Sequence, residues 1–247
     1  MTRRYRVGTS GWQYDHWRSR FYPSGLAKKD WFAYYARVFS SVELNNSFYR
    51  QPKDATWEAW HDAAPPGFRF AVKANRFLTH MKRFKDSEEP LRRFLEGAER
   101  LKGYLGPVLY QAPPGFKCDE RNLTRLEDFI RLLPRRIDHV FEFRHGSWFG
   151  DEGPDLLRRH EVALCVQDMP GLKCPVTATA DHAYVRLHGA GRPYAGHYSD
   201  AALRTWARKL RQLENVDEVW VFFNNDLEGN AVVNAQTLAA MLDEERG

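Results

Sequence analysis

No stretch of this sequence approaches the roughly 20 consecutive apolar residues that a membrane-spanning helix needs. The basic start, Met1-Thr2-Arg3-Arg4-Tyr5-Arg6, leads into no hydrophobic segment of a secretory signal. Cysteine is scarce. Cys118, Cys165 and Cys174 are odd in number and form no C-x-x-C pair, which argues against a disulfide framework and a Cys-based zinc site. Cys165 sits in the apolar run Val162–Val166 and reads as core. Together these absences favour a reducing, cytoplasmic setting with no membrane partner. Gly8-Thr9-Ser10-Gly11 lacks the third glycine and the following helix of a dinucleotide fingerprint, and no organic cofactor is expected. Ser10 has no G-x-S-x-G elbow and no cysteine ends a strand, so a Ser- or Cys-nucleophile hydrolase is the weakest reading.

What is present reads as a globular chain of 247 residues, 43% hydrophobic and 28% charged. That length buries enough surface to need no disulfide or metal staple. A net charge of +5 suits an anionic partner without the clustering of a DNA-coating protein. Strand-like and helix-like patterns alternate throughout. Strands are expected at Val7–Ser10, Ser41–Asn45, Phe68–Lys73, Gly106–Gln111, His139–Arg144, Val162–Asp168, Ala183–His188 and Val219–Asn224. Helical spacing marks Trp31–Phe39, Thr56–Ala63, Leu91–Leu101, Leu123–Leu133, Asp155–His160, Ala201–Leu213 and Val232–Leu242. Residues Met169–Asp181 carry no helical pattern, so one outer helix after strand six is expected to be missing or degraded. Eight such repeats imply right-handed crossovers and a parallel closed sheet: an α/β fold, a TIM-type (β/α)8 barrel, with one domain over residues 1–247.

The ends of the strands carry the chemistry. Side chains two apart share a face of a strand. If Phe141 and Phe143 pack on helices, Glu142 and Arg144 point into the barrel. The same parity sends Glu43 and Asn45, Lys73, and Arg186 and His188 inward; strands four, six and eight contribute Gln111, Asp168 and Asn224. Polar side chains thus converge on the C-terminal mouth, where TIM barrels build active sites. Burying them is costly unless they are paired, so a satisfied internal network of Glu43, Lys73, Glu142 and Arg186 stands beside the catalytic reading. The loops above are aromatic and basic: Trp12, Tyr14 and Trp17; Phe48-Tyr49-Arg50; Arg76, Thr79 and His80; His145 and Trp148; Arg192, Tyr194 and Tyr198. Rings of this kind stack on bases or sugars, and arginines hold phosphates, although some rings simply close the barrel top. His188-Gly189-Ala190-Gly191-Arg192, after strand seven, is placed where TIM barrels often bind phosphate.

Several motifs in order resemble the domain-of-unknown-function family 72 (DUF72), a set of TIM-barrel proteins. They are Gly8-Thr9-Ser10-Gly11-Trp12, Phe21-Tyr22-Pro23, Val42-Glu43-Leu44-Asn45 with Ser47-Phe48-Tyr49-Arg50, and Phe70-Ala71-Val72-Lys73-Ala74 with Thr79-His80. Leu105-Gly106-Pro107, Gln111-Ala112-Pro113-Pro114 and Glu142-Phe143-Arg144-His145 with Ser147-Trp148 follow. Tyr184-Val185-Arg186-Leu187-His188-Gly189, Phe222-Phe223-Asn224-Asn225 and Asn234-Ala235 complete them. Asn46 and Ala112 depart from the pattern and touch none of the inward polar set. The resemblance implies the barrel and the place of its pocket, and supplies no reaction.

The leading expectation is an enzyme, a hydrolase or lyase, acting on a phosphate-bearing substrate such as nucleic acid or a nucleotide. Glu142 or Asp168 would be general base and His188 acid or ligand, with Glu43 as second carboxylate. Arg144, Arg186 and Lys73 would face developing negative charge. Asn45, Gln111, Asn224, Trp12, Tyr49, His80 and Trp148 would line the substrate site. A divalent metal is conceivable on Glu43, Glu142, Asp168 and His188, but the inward cations compete for those carboxylates. The alternatives are a nucleic-acid binder without turnover and a carbohydrate-active enzyme using Glu142 and Glu43.

Overall fold

A computed structural model describes residues 3–243; Met1 and Thr2 of the basic start lie outside the described residues. The strands are β1 (Arg4–Thr9), β2 (Ser41–Leu44), β3 (Arg69–Lys73), β4 (Leu105–Gln111), β5 (His139–Glu142), β6 (Ala163–Asp168), β7 (His182–Leu187) and β8 (Glu218–Phe223). The helices are α1 (Trp31–Val38), a single turn α2 (Asn46–Tyr49), α3 (Asp54–Ala63), α4 (Glu88–Ala98), α5 (Glu120–Arg131), α6 (Glu152–Arg159), α7 (Asp200–Arg211) and α8 (Asn230–Asp243). Ladders join neighbours in the order β1-β8-β7-β6-β5-β4-β3-β2, all parallel. Only the β1–β2 seam lacks a ladder. A single bridge, Ser10 to Glu43, spans it. A Cβ on Gly8 would meet the Ser41 carbonyl oxygen at 2.3 Å, so the seam closes only because glycine stands there.

The expected elements are all present with ends shifted by one to three residues, which is the ordinary scatter of fraying ends. No helix separates β6 from β7, as the pattern of residues 169–181 implied. Capping residues explain two sharp starts: Asp119 accepts from the Asn122 amide before α5, and Ser199 accepts from the Ala202 amide before α7. No helix among the described residues is long and apolar enough to cross a membrane.

Two layers of burial result from strand parity. Outward residues such as Val72, Tyr110, Phe141, Val185 and Val221 join the helices in one aromatic-rich core. Inside the barrel, the lower and middle levels are apolar: Ala71, Leu109, Val140, Ala163, Cys165, Tyr184, Trp220 and Phe222. Cys165 is fully buried there, and burial pushes its thiol pKa well up, as an inert core thiol requires. The level above is polar, and it forms the mouth.

Candidate active site at the barrel mouth

At the centre lies Arg186, carried inward by β7 and fully buried. Its guanidinium donates to Glu142 Oε2 at 2.6 Å and to Glu43 Oε2 at 2.8 Å. Each carboxylate has further donors. Glu43 accepts from Ser10 Oγ (2.7 Å) and Tyr184 Oη (2.9 Å). Glu142 accepts from Gln111 Nε2 (3.1 Å) and pairs with Arg144 at 2.5 Å. This floor spans β1, β2, β4, β5 and β7. Burial opposes ionisation of Glu142, but Arg144 and Arg186 outweigh it and hold the carboxyl well below its usual range. Burial likewise opposes ionisation of Glu43; Arg186, Ser10 and Lys73 reverse the sign.

His188, fully buried beside this floor, has Nε2 3.3 Å from Glu142 Oε1 and Nδ1 3.2 Å from Asn224 Nδ2. Burial, reinforced by Arg186, lowers its pKa to about 4, so the ring is neutral at pH 7. Arg144 reaches up to Tyr194 Oη (3.3 Å), so the loop after β7 touches the site through a phenol.

Lys73, at the end of β3, is a different case. It is 8% exposed, makes no ion pair among the described residues, and places Nζ 4.0 Å from the centroid of Phe48. Burial and the neighbouring Arg186 lower its pKa to about 8, against the opposing pull of Glu142 and Glu43. His80 rests edge-on against Phe48, at 5.1 Å; burial and the positive charge of Lys73 and Arg76 bring it to about 4. With both histidines neutral, the mouth holds Arg144, Arg186 and Lys73 against Glu43 and Glu142, an excess of one positive charge at pH 7.

Beyond Phe48 opens a groove of about 510 Å³ between α2, the π-helical turn Phe77–Met81 and α4. Tyr49 (73% exposed), Phe77 (42%) and Met81 (66%) line it. So do Arg50, Arg76 and Arg93, none of which forms an ion pair among the described residues. The one acidic side chain in the lining, Glu89, is held by Arg92 at 2.8 Å through both oxygens.

Four expected site residues stand elsewhere. Asp168 points outward, with Oδ2 3.4 Å from Trp206 Nε1. Cys165 faces the interior, so parity turns Gln167 inward and Asp168 out; Gln167 Nε2 donates to the Phe143 carbonyl. Trp148 is fully buried outside the sheet, stacked on Phe143 at 4.2 Å and donating to the Phe116 carbonyl. Trp12 packs on Phe32 and Trp60; with Asn45 it lines only a small cleft of about 70 Å³. The glycine loop after β7 also spends its polar groups internally: the Gly189 amide donates to Tyr198 Oη, and Asn225 donates to Gly196 and Asn234.

Sequence reasoning missed Ser10, Tyr184 and Gln167 as members of the site. Tyr184 was recoverable, since it lies two residues from the inward Arg186 on β7. Phe77, Met81 and Arg93 carried no such signal. Among the described residues no three His, Cys, Asp or Glu side chains gather as metal ligands. The four proposed donors are divided: Asp168 is outside, and Glu43 and Glu142 are turned toward arginines.

Comparison with known proteins agrees with this architecture. The UPF0759 protein YunF of Bacillus subtilis is 27% identical, with 97% of this chain and 95% of the relative covered. A DUF72 family protein of Thermotoga maritima superposes with a TM-score of 0.89 at 33% identity, over 97% of this chain and 99% of that one. A DUF72 family protein of Enterococcus faecalis gives 0.84 at 20% identity, over 97% and 95%, which speaks for the fold alone. The family described as "Protein of unknown function DUF72" matches residues 6–247, and the chain belongs to that family.

Proposed function

We propose that the barrel mouth binds a phosphate-bearing substrate, a nucleotide or a nucleic-acid strand, and acts on it by proton transfer as a hydrolase or lyase. The observation that carries this reading is the excess cation: three buried or half-buried cations face two carboxylates, and Lys73 is the one without a carboxylate partner. A phosphate dianion supplies the missing charge, with Arg144 offering a planar donor pair and Lys73 a point charge. Arg144 Nε, Arg186 Nε and Gln167 Oε1 are buried without hydrogen-bond partners, the pattern expected where a ligand completes a network. Roles shift accordingly. Glu142, held ionised by two arginines, fixes Arg186 and Arg144 and is a weak base; Lys73 exchanges a proton nearest to neutral pH. His188 is a neutral ring that places Nε2 beside Glu142.

The groove beside Phe48 suits the rest of such a substrate: bases on Tyr49 and Phe77, phosphates on Arg50, Arg76 and Arg93. It equally favours the second reading, nucleic-acid binding without turnover. Sugar cleavage finds less support, because Glu43 and Glu142 share one guanidinium and do not flank an open space. The test is anisotropy of fluorescent single-stranded, duplex and abasic-site oligonucleotides at two salt concentrations, with product gels in the presence and absence of divalent metal. Expected is binding that weakens with salt, with the groove arginines contributing a slope of roughly −2 for single strands. Product formed by the native chain and lost in Lys73→Met marks the enzyme; salt-sensitive binding without product marks the binder. No binding to any oligonucleotide overturns the nucleic-acid part of the reading. Tyr49→Ala weakens oligonucleotide binding by about 5- to 150-fold, equivalent to about 1–3 kcal/mol, without altering thermal stability.

A further inference from the structure

We propose that Lys73 is a nucleophile that forms an imine with the carbonyl carbon of a phosphate-bearing aldehyde or ketone held at the mouth. This rests on the reading of the mouth as a phosphate site and names the reacting group of its substrate. Four observations support it. Lys73 ends a barrel strand on the face where TIM barrels do their chemistry. Its amine faces the ring of Phe48 and has no carboxylate partner among the described residues, unlike the mouth's other two cations, Arg144 and Arg186. Two guanidiniums, Arg186 and Arg144, disfavour a third positive charge beside them, while Glu142 and Glu43 favour it; burial and Arg186 prevail. Desolvation and a cationic neighbour are what activate an amine for addition to a carbonyl. His80, which also packs on Phe48, is neutral at pH 7 and leaves that balance unchanged.

The step balances without an added reagent. The lone pair of neutral Nζ attacks the carbonyl carbon and forms the C–N bond, and the C=O π pair moves to oxygen. That oxygen leaves as water after taking one proton from Nζ and one from solvent, and a protonated imine remains. The iminium adds no net charge relative to the lysine ammonium, so the phosphate partner of the site is retained. An amine of pKa about 8 is about one-tenth neutral at pH 7. An ordinary lysine is neutral to about one part in 2,500, so Lys73 carries an advantage of a few hundredfold in reactive form.

Borohydride reduction tests this directly. The full chain is incubated at pH 7 with glyceraldehyde 3-phosphate or with an abasic-site oligonucleotide, reduced, digested and mapped by mass spectrometry. The expected result is a secondary-amine adduct on Lys73, at least tenfold above that on any exposed lysine, and rising with pH to a plateau just above 8. Lys73→Arg and Lys73→Met, shown to melt no lower than the native chain, lose it. Trapping by one probe and not by the other identifies the source of the carbonyl. An unmodified Lys73 peptide among labelled surface lysines overturns the inference. If non-carbonyl phosphate esters still bind in that case, the phosphate reading stands alone. Trapping of glyceraldehyde as efficient as that of its phosphate keeps the nucleophile and overturns the phosphate reading.

Discussion

Arg186 and Lys73 are two cations of one mouth, buried to similar degree and treated in opposite ways. Arg186 is matched by two carboxylates at 2.6 and 2.8 Å, each of which is hydrogen-bonded in turn. Lys73 has an aromatic ring and no salt-bridge partner among the described residues. A buried charge that serves the fold must be paired, since its desolvation outweighs any partial compensation. A buried charge left open weighs against the fold and is kept for what it binds or does. The difference separates a structural clamp from a working group within one cluster.

Removing the clamp has the largest effect. Arg186→Met strands two buried carboxylates and costs about 3–5 kcal/mol, or about 10–15 °C in melting temperature for a chain of this size. A variant melting within about 2 °C of the native chain would remove the clamp from the account. Acidification acts next. His139 and His188 are buried and titrate at about 4 in the folded chain, against about 6.5 when unfolded. Unfolding therefore takes up protons between those values, and stability falls as pH drops from 6.5 to 4, by roughly 3 kcal/mol for each ring at the lower limit. Denaturant titrations at pH 7, 6 and 5 measure this; a flat profile would mean that these rings are solvated. Glu43 and Glu142 continue the loss at lower pH, as protonation releases Arg186. The smallest change has the opposite sign. Lys73→Met removes a charge that is protonated at pH 7 in both folded and unfolded chains but buried only in one. It raises the unfolding free energy by about 1–3 kcal/mol while weakening phosphate-ester binding at least tenfold. A destabilised Lys73→Met chain would place Lys73 with Arg186, as part of the clamp.

How much of this was legible depends on whether a strand announces its faces. In β5 the pair Phe141 and Phe143 declares the outer side, so Glu142 and Arg144 fall inward without ambiguity. In β7, Val185 and Leu187 do the same for Arg186 and His188. In β6 both faces are apolar: Leu164 and Val166 pack outward while Ala163 and Cys165 fill the interior. An apolar run carries no parity, and the expectation of an inward Asp168 fails there. Trp148 failed differently, because its sequence position after β5 is compatible with the mouth and only the stack on Phe143 places it outside. The groove was illegible because its walls come from α2, the π-helical turn and α4, which no periodicity ties together. The pairing state of Lys73 belongs to the same class, being a property of distances across the barrel.

The open seam has a consequence for the order in which the chain can fold. β1 leaves a ribosome before the other seven strands, yet its only ladder among the described residues is with β8, Arg4 pairing with Glu218 and Thr9 with Phe223. On the other side it has a single bridge to β2. The backbone of β1 must therefore wait for β8 to be made, whereas each of β2 through β8 has a ladder to a strand next to it in sequence. A circular permutant starting at β2 and ending with β1 would carry its strands in the spatial order of the sheet, with the long-range closure converted into a local one.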